Sequence, residues 1–595
     1  MKNLLSLGCL ICCVLHVSAA SYGILVNDSK YFAGSLNPTP LDPSFQEYAC
    51  VSVPLSSGDY CLLYDQENEA SWTVVLDPAS TTNISLSNGK YLCSATGCYD
   101  FYIKLKYEQD QLYVGNSSSA DCSDWSTTIG QGSDDTTPTD YATAVPAQCE
   151  DVILQGFYWR SYETNGKFGS TKWADLSSQV SEIANSFTMI WLPPSASATT
   201  FNNSMGYIPN NYGSQASAWG KSSALTSLIT SFHNRRVKVL ADIVINHGGN
   251  KSNSCDFNSM SFGSFGTFNP TKDWITSDDE GGCGSSGNAD DGQNGTDKNY
   301  AAARDWDHAN SQVQNMFKAY LKWMKTEMGY DGWRYDYVGG FHLKHINDYN
   351  NASKPYFSVG EYWYGDPQTL KTRVDDASQN TLLFDFAAYY TAFRDGIGAA
   401  NYSKLKSAGL RGKGYGKYAV LFVDNHDTFN RSDNNVTDFL GKGDGSSIND
   451  ASKVLQANAY MLAMPSVPCV FYPHWVKYKD EIKKMILARR SAGIHSESAI
   501  SENAGSGFYE ATVTGKRGML ILYLGSSATK SAPAGYTKAC AGSGYAVYYT
   551  GTLPSDHSAV ETTTVTPVAN KVIENGQLLI KCGEQTFNAM GQRID

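Results

Sequence analysis

The sequence predicts an α/β chain built on a closed (β/α)8 TIM barrel, with a β-sandwich ahead of it, an inserted loop domain after its third strand and a C-terminal antiparallel β domain. Three observations carry that expectation. Between 149 and 497, eight short apolar runs alternate with longer segments of helical period, as strands buried on both faces do when helices connect them. On either side, the period changes to an alternation of polar and apolar residues, which suits half-buried antiparallel strands. Residues 123–148 are dominated by Ser, Thr, Asp, Gly and Pro, the composition of a linker.

Taken in order, Lys2, the apolar run from Leu4 to Leu15 and the small residues Ser18, Ala19 and Ala20 have the arrangement of a cleaved secretory signal. Residues 1–20 are therefore expected to be removed, leaving a secreted chain with no membrane contact; the run is too short for a permanent span. A lipid anchor at Cys9, after Gly8, is the alternative. Residues 21–122 form the expected β-sandwich, from segments such as SWTVVLD and GCYDFYIKLKYEQDQLYVG. The barrel runs begin at Asp151, Phe187, Val237, Tyr330, Pro355, Thr381, Lys417 and Val467. Helical patterns such as NSQVQNMFKAYLKWMKTEM fall between them. The long interval 248–305, rich in Gly, Ser, Asn and Asp, is expected to be a small subdomain. From 498 to 595, GFYEATV, GMLILYLG, GYAVYYTG and QLLIKCG return to strand alternation.

The totals narrow the function. The length allows three or four domains. With 58 acidic against 46 basic residues, a net charge of −12 and no long basic run, a nucleic-acid partner is disfavoured. The 38 Tyr and 12 Trp suit either flat, hydroxyl-rich neutral ligands or simply a β-rich chain. Cysteines past the signal fall into neighbouring couples, Cys50 with Cys61, Cys93 with Cys98, Cys122 with Cys149, Cys255 with Cys283 and Cys540 with Cys582, with connectivity open. Cys469, inside SVPCVFYP, is expected to be a core thiol. Asn83, Asn116 and Asn435 begin Asn-X-Ser/Thr triplets, which would carry glycans in a eukaryotic host.

The chemistry of such a barrel sits at the carboxyl ends of its strands. There the third run ends in Asp242 to His247, the fourth in Asp336, the fifth in Glu361 and the seventh in Asp424 to Asp427. Clustered carboxylates repel, so one is expected to keep a proton near neutrality while another stays ionised. That division is what glycosidic cleavage requires. Arg334, two residues before Asp336 on an extended segment, would hold that carboxylate ionised as nucleophile and leave Glu361 as acid/base. His247 and His426 are candidate donors to sugar hydroxyls.

ADIVINH at 241–247, GWRYD at 332–336, VGEYW at 359–363 and FVDNHD at 422–427 resemble the four ordered motifs of the α-amylase family of glycoside hydrolases. LQGFYW, GYIPNNYG and RRSAGIHSES extend the similarity toward its plant-type branch. The resemblance implies Asp336 as nucleophile, Glu361 as general acid/base and Asp427 as transition-state stabiliser. It further implies Arg334, His247 and His426 at the cleavage subsite, Tyr207 as a stacking ring and Trp363 on the leaving-group side. It implies a structural Ca2+ held by Asn246, Asp307 and the carbonyl of Gly340, oxygen donors that suit a hard cation; for Asp307 the alternative is capping of the following helix. Tyr335 and Tyr337 depart from the family pattern beside the nucleophile. The expected activity is a monomeric, secreted endo-α-amylase, retaining in mechanism, acting on starch, glycogen or maltooligosaccharides. A 4-α-glucanotransferase and a catalytically silent starch-binding protein are the rivals. Trp72, Tyr102 and Tyr113 of the N-terminal domain are either starch-binding platforms or core aromatics.

Overall fold

In this computed structural model the described residues are 139–553 without 164–165, 167, 200–203, 254, 280, 284–287, 290–291, 293–301 and 430–450, together with segments, chiefly strands, within 22–116 and 570–588. The expected signal at 1–20 lies outside them, as does the linker up to 138. The chain divides into two compact units, Met1–Thr136 and Thr137–Asp595.

In the first unit, a six-stranded sheet runs Lys30–Ala33, Tyr22–Val26, Tyr60–Asp65, Lys90–Cys93, Ile84–Ser87, with Ala70–Trp72 added to Tyr60–Asp65. A four-stranded sheet runs Gln46–Leu55, Gly97–Leu105, Gln111–Asn116, Val75–Leu76. Ile24, Leu63 and Tyr91 of the first and Leu55, Phe101 and Val114 of the second are buried, the alternation that a two-sheet core demands. Trp72, Tyr102 and Tyr113 fall on these strands, and their side chains lie outside the described residues.

The second unit holds a closed barrel of eight parallel strands: β1 Ile153–Gln155, β2 Met189–Trp191, β3 Lys238–Ile243, β4 Gly332–Tyr335, β5 Phe357–Gly360, β6 Leu382–Phe384, β7 Ala419–Phe422 and β8 Val467–Phe471. All eight expected runs supply a strand, each almost wholly buried because helices cover the outside and side chains fill the inside. The helix Ser311–Thr326 illustrates the covering layer. Val313, Met316, Phe317, Tyr320 and Met324 face inward at helical spacing, and Asn310 caps its start by accepting from Gln312 N at 2.9 Å.

Residues 139–148, at the end of the segment whose composition marks a linker, are tied to the barrel. Lys325 Nζ meets Asp140 at 2.9 Å, Ala144 N donates to Asn380 Oδ1 at 2.9 Å, and Ser358 N donates to Ala144 O at 3.0 Å. The insertion after β3 is pinned by the Cys255–Cys283 disulfide and by the buried pair Arg304–Asp279 at 2.8 Å. Cys149 and Cys540, each expected in a couple, are buried thiols; their expected partners Cys122 and Cys582 have side chains outside the described residues. Cys469 is a buried core thiol as expected.

A five-stranded antiparallel sheet follows, in the order Ala499–Gly505, Phe508–Thr514, Met519–Gly525, Tyr545–Tyr549, Thr537–Gly542, with a three-stranded sheet over Asn570–Glu574, Gln577–Cys582 and Gln585–Asn588. Glu502 binds it to the barrel side, taking the Arg411 guanidinium and the Tyr509 hydroxyl.

Candidate active site

Register brings the acids together. Asp242 of β3 pairs with Arg334 of β4, and Tyr335 of β4 with Gly360 of β5. Asp336 and Glu361 therefore leave adjoining strands at the same level, with Glu361 N donating to Tyr335 O at 3.0 Å. Strands so paired stand about 4.8 Å apart, so the two carboxylates are close by construction.

Arg334 is fully buried and serves three acids at once. Its Nη1 donates to Asp336 Oδ1 at 2.7 Å and to Asp242 Oδ1 at 2.8 Å. Its Nη2 lies 2.9 Å from Glu361 Oε1, a contact of charges without hydrogen-bond alignment. Glu361 Oε2 accepts from Tyr337 N at 3.2 Å. One cation among three carboxylates leaves the cluster with surplus negative charge. Burial raises Glu361 above the usual carboxylate range; Arg334 opposes the rise and the Asp336 charge adds to it. Asp242 is pushed up to about 7, again mainly by burial, with Arg334 opposing. Burial works against the Arg334 charge too, yet Asp242, Glu361 and Asp336 outweigh it and hold the guanidinium protonated.

Aromatic rings frame this cluster. Tyr207 OH and Trp191 Nε1 donate to Asp242 Oδ2 at 2.9 and 3.1 Å. The Tyr207 ring lies parallel to His426, 5.2 Å between centroids. Gln155 Nε2 donates to His426 Nδ1 at 3.0 Å, which leaves the imidazole proton on Nε2, 3.3 Å from Asp427 Oδ2. Asp427 thus joins the site through His426, and its side chain keeps 20% exposure. His247 Nε2 meets the Tyr207 carbonyl at 2.8 Å, so this histidine fixes Tyr207 in place. Trp363 stacks on Phe386 at 4.7 Å and donates through Nε1 to Tyr390 OH.

Of the proposed metal ligands, Asn246 and Gly340 are adjacent, and Asp307 follows a residue bonded to Asn246. Asn246 O accepts from Trp306 N at 3.2 Å, next to Asp307, and Asn246 Oδ1 lies 2.1 Å from where a Cβ on Gly340 would stand. Asp307 is buried, accepting from Ala309 N at 2.9 Å and Asn288 Nδ2 at 2.8 Å. It does not cap the helix, a task that falls to Asn310. Among the described residues no group of three or more His, Cys, Asp or Glu could hold a metal. A mixed set with one carboxylate, an amide and a backbone carbonyl is the kind of site that remains, and its donors fit calcium.

Sequence reasoning placed Asp242 at a strand end but gave it no role, and it missed Trp191, Gln155 and Tyr390. The first three carried a signal, a polar or ring-nitrogen group within an apolar run, which in a buried strand requires a partner. Tyr390 carried none, because a π-helix, Tyr389–Gly398, aims it.

The family described as "Alpha amylase, catalytic domain" matches residues 184–487. The chain is 28% identical over 424 residues to "Probable alpha-amylase 2" of Arabidopsis thaliana, covering 67% of this chain and 94% of that protein. It is 30% identical over 381 residues to "Alpha-amylase 3, chloroplastic" of the same plant, covering 59% of this chain and 39% of that protein. A solved alpha-amylase from Geobacillus thermoleovorans, complexed with acarbose, superposes with a TM-score of 0.49 at 16% identity, covering 68% of this chain and 99% of that one. With a matched region of just over half its length, spanning β2 to β8, the chain belongs to the alpha-amylase catalytic-domain family of glycoside hydrolases.

Proposed function

We propose that the protein is a secreted, endo-acting, retaining α-amylase that hydrolyses internal α-1,4 bonds of starch, glycogen or maltooligosaccharides. The observation that carries this reading is the placement of Asp336 and Glu361 on adjoining strands at one level, bridged by a single guanidinium. Retaining glycosidases keep their two carboxyl groups about 5–5.5 Å apart, whereas inverting ones need about 6.5–9.5 Å to admit a water.

Asp336, beside Arg334, attacks the anomeric carbon. Glu361, whose buried carboxyl is biased toward its protonated form, delivers a proton to the leaving oxygen and then takes one from the incoming water. Two displacements on one carbon return the α configuration. Asp427 and His426 grip ring hydroxyls as the sugar flattens, Tyr207 offers a ring face, and Trp363 borders the leaving-group side. Asn246, Asp307 and Gly340 would hold a Ca2+ ion that supplies stability where the inserted loop meets the barrel.

The test is a purified chain incubated with a long linear maltooligosaccharide, with product lengths and anomeric signals followed by NMR. Shorter chains released as the α-anomer are expected. Chains both longer and shorter than the substrate would make it a glucanotransferase, and β-anomer products would overturn the assigned carboxylate roles. Secretion rests on the 1–20 segment alone; no helix among the described residues is long and apolar enough to cross a membrane. The N-terminal unit is read as a starch-binding module, which predicts granule adsorption by the full chain that residues 137–595 lack; equal adsorption would remove the reading.

A further inference from the structure

The loop after β7 carries His426 and Asp427 into the site, and it is held from behind by groups that no chemical step uses. Asp424 and His474 are both buried, with His474 Nε2 3.3 Å from Asp424 Oδ2, a close polar contact without hydrogen-bond alignment. His474 stands on the helix Tyr472–Lys477, directly after β8. Its Nδ1 lies 3.4 Å from Nδ2 of Asn458, on the helix Ala451–Ala463. The orientation of that amide is fixed, because Asn458 Nδ2 also donates to Val454 O at 2.9 Å. An amide N–H facing Nδ1 makes that nitrogen the acceptor, so the ring proton belongs on Nε2, toward Asp424.

The loop side completes the chain of contacts. Asp424 Oδ1 accepts from Thr428 Oγ1 at 2.9 Å, and Thr428 Oγ1 accepts from Asn425 N at 3.0 Å. Asn425 Oδ1 then takes the N–H groups of Asp427 and Thr428, each at 2.8 Å. These contacts together lead from the barrel's outer helices toward the backbone of Asp427. A buried carboxylate is costly unless polar groups face it, so removing the imidazole edge from beside Oδ2 would disfavour Asp424 in its place and loosen the loop with it.

We propose that Asn458, His474 and Asp424 form a positioning relay that fixes the 424–429 loop and so sets where Asp427 meets the sugar. The proposal rests on the reading of Asp427 as transition-state stabiliser. These three are positioning residues, since none touches the reacting atoms. Misplacement of a catalytic group by about 1 Å costs on the order of 100-fold in rate, which is the scale expected here.

His474→Phe removes the polar ring edge that faces Asp424 and keeps a ring; His474→Gln keeps an N–H at a similar reach. The Phe variant is expected to lose about 30- to 100-fold in kcat with KM for a maltooligosaccharide changed less than about threefold, and the Gln variant to recover to within about fivefold. Equal losses in both, or a change in KM alone, would overturn the relay. A second measurement covers a Phe variant that fails to fold. In histidine-15N-labelled parent protein, with His474 assigned by its absence in the Gln variant, the Nε2–H tautomer is expected, and an Nδ1–H or doubly protonated ring would overturn the proposal. That readout needs no turnover, so a parent chain inert on maltooligosaccharide would count against the proposed function and leave the relay to be decided by the tautomer.

Discussion

Glu361 and Asp336 fill roles and little volume, so replacing either carboxyl by its amide removes chemistry and leaves packing. Glu361→Gln and Asp336→Asn are each expected to lose several orders of magnitude in turnover while still folding. Near-parental turnover in either would detach it from catalysis. The same cluster makes a stability prediction. Burial raises Glu361 and lifts Asp242 to about 7, so between the ordinary carboxylate range and neutrality the folded chain binds more protons than the unfolded one. Stability from these groups is therefore full at low pH and falls as pH rises through their folded pKa values. The Gln variant at 361 escapes that penalty. Its melting temperature is expected to exceed the parent's by a margin that is wider at pH 8 than at pH 5. A margin that narrows toward pH 8 would mean that Arg334 stabilises ionised Glu361 more than burial opposes it.

At the scale of elements, helix ends need partners, and Arg489 shows how a single side chain provides them. Fully buried, it donates to the carbonyls of Leu462, Met464 and Ser466 at 2.9, 2.8 and 2.6 Å, closing the turn between the helix Ala451–Ala463 and β8. Arg489→Met is expected to destabilise by about 3 kcal/mol, read by denaturant unfolding, because three buried acceptors lose their donor. The strands themselves were legible: eight apolar runs became β1 to β8, since a strand buried on both faces has no choice but to be apolar. Partnerships between elements were less so. The pair Arg334 and Asp336 could be read from their spacing, but the reach of Arg334 to Asp242 and Glu361 depends on which strands adjoin and in what register. The hold of 139–148 on the barrel was hidden because its bonds run through backbone groups and through Asn380 and Lys325, far away in sequence.

On the scale of the whole molecule, Asn246 stands after β3, Asp307 at the end of the insertion and Gly340 after β4, so one ion would tie three separated stretches. A ligand bound only by the folded state raises its stability with free concentration. Chelation of a calcium-loaded sample is expected to lower the melting temperature, by about 1 °C for each kcal/mol of binding lost in a chain of this size. No shift would remove the metal from the protein.

The π-helix Tyr389–Gly398 has a bearing on how this cleft could be remodelled. A wide turn accommodates more backbone per revolution than an α-helix, as if residues had been slipped into a regular helix without lengthening it. Deleting one residue from that stretch would let it tighten into the better-bonded form, while swinging every side chain beyond the cut by about 100° around the axis. A deletion ahead of Tyr390 would turn its hydroxyl away from Trp363, so a shorter and more regular helix would come with a loosened tryptophan.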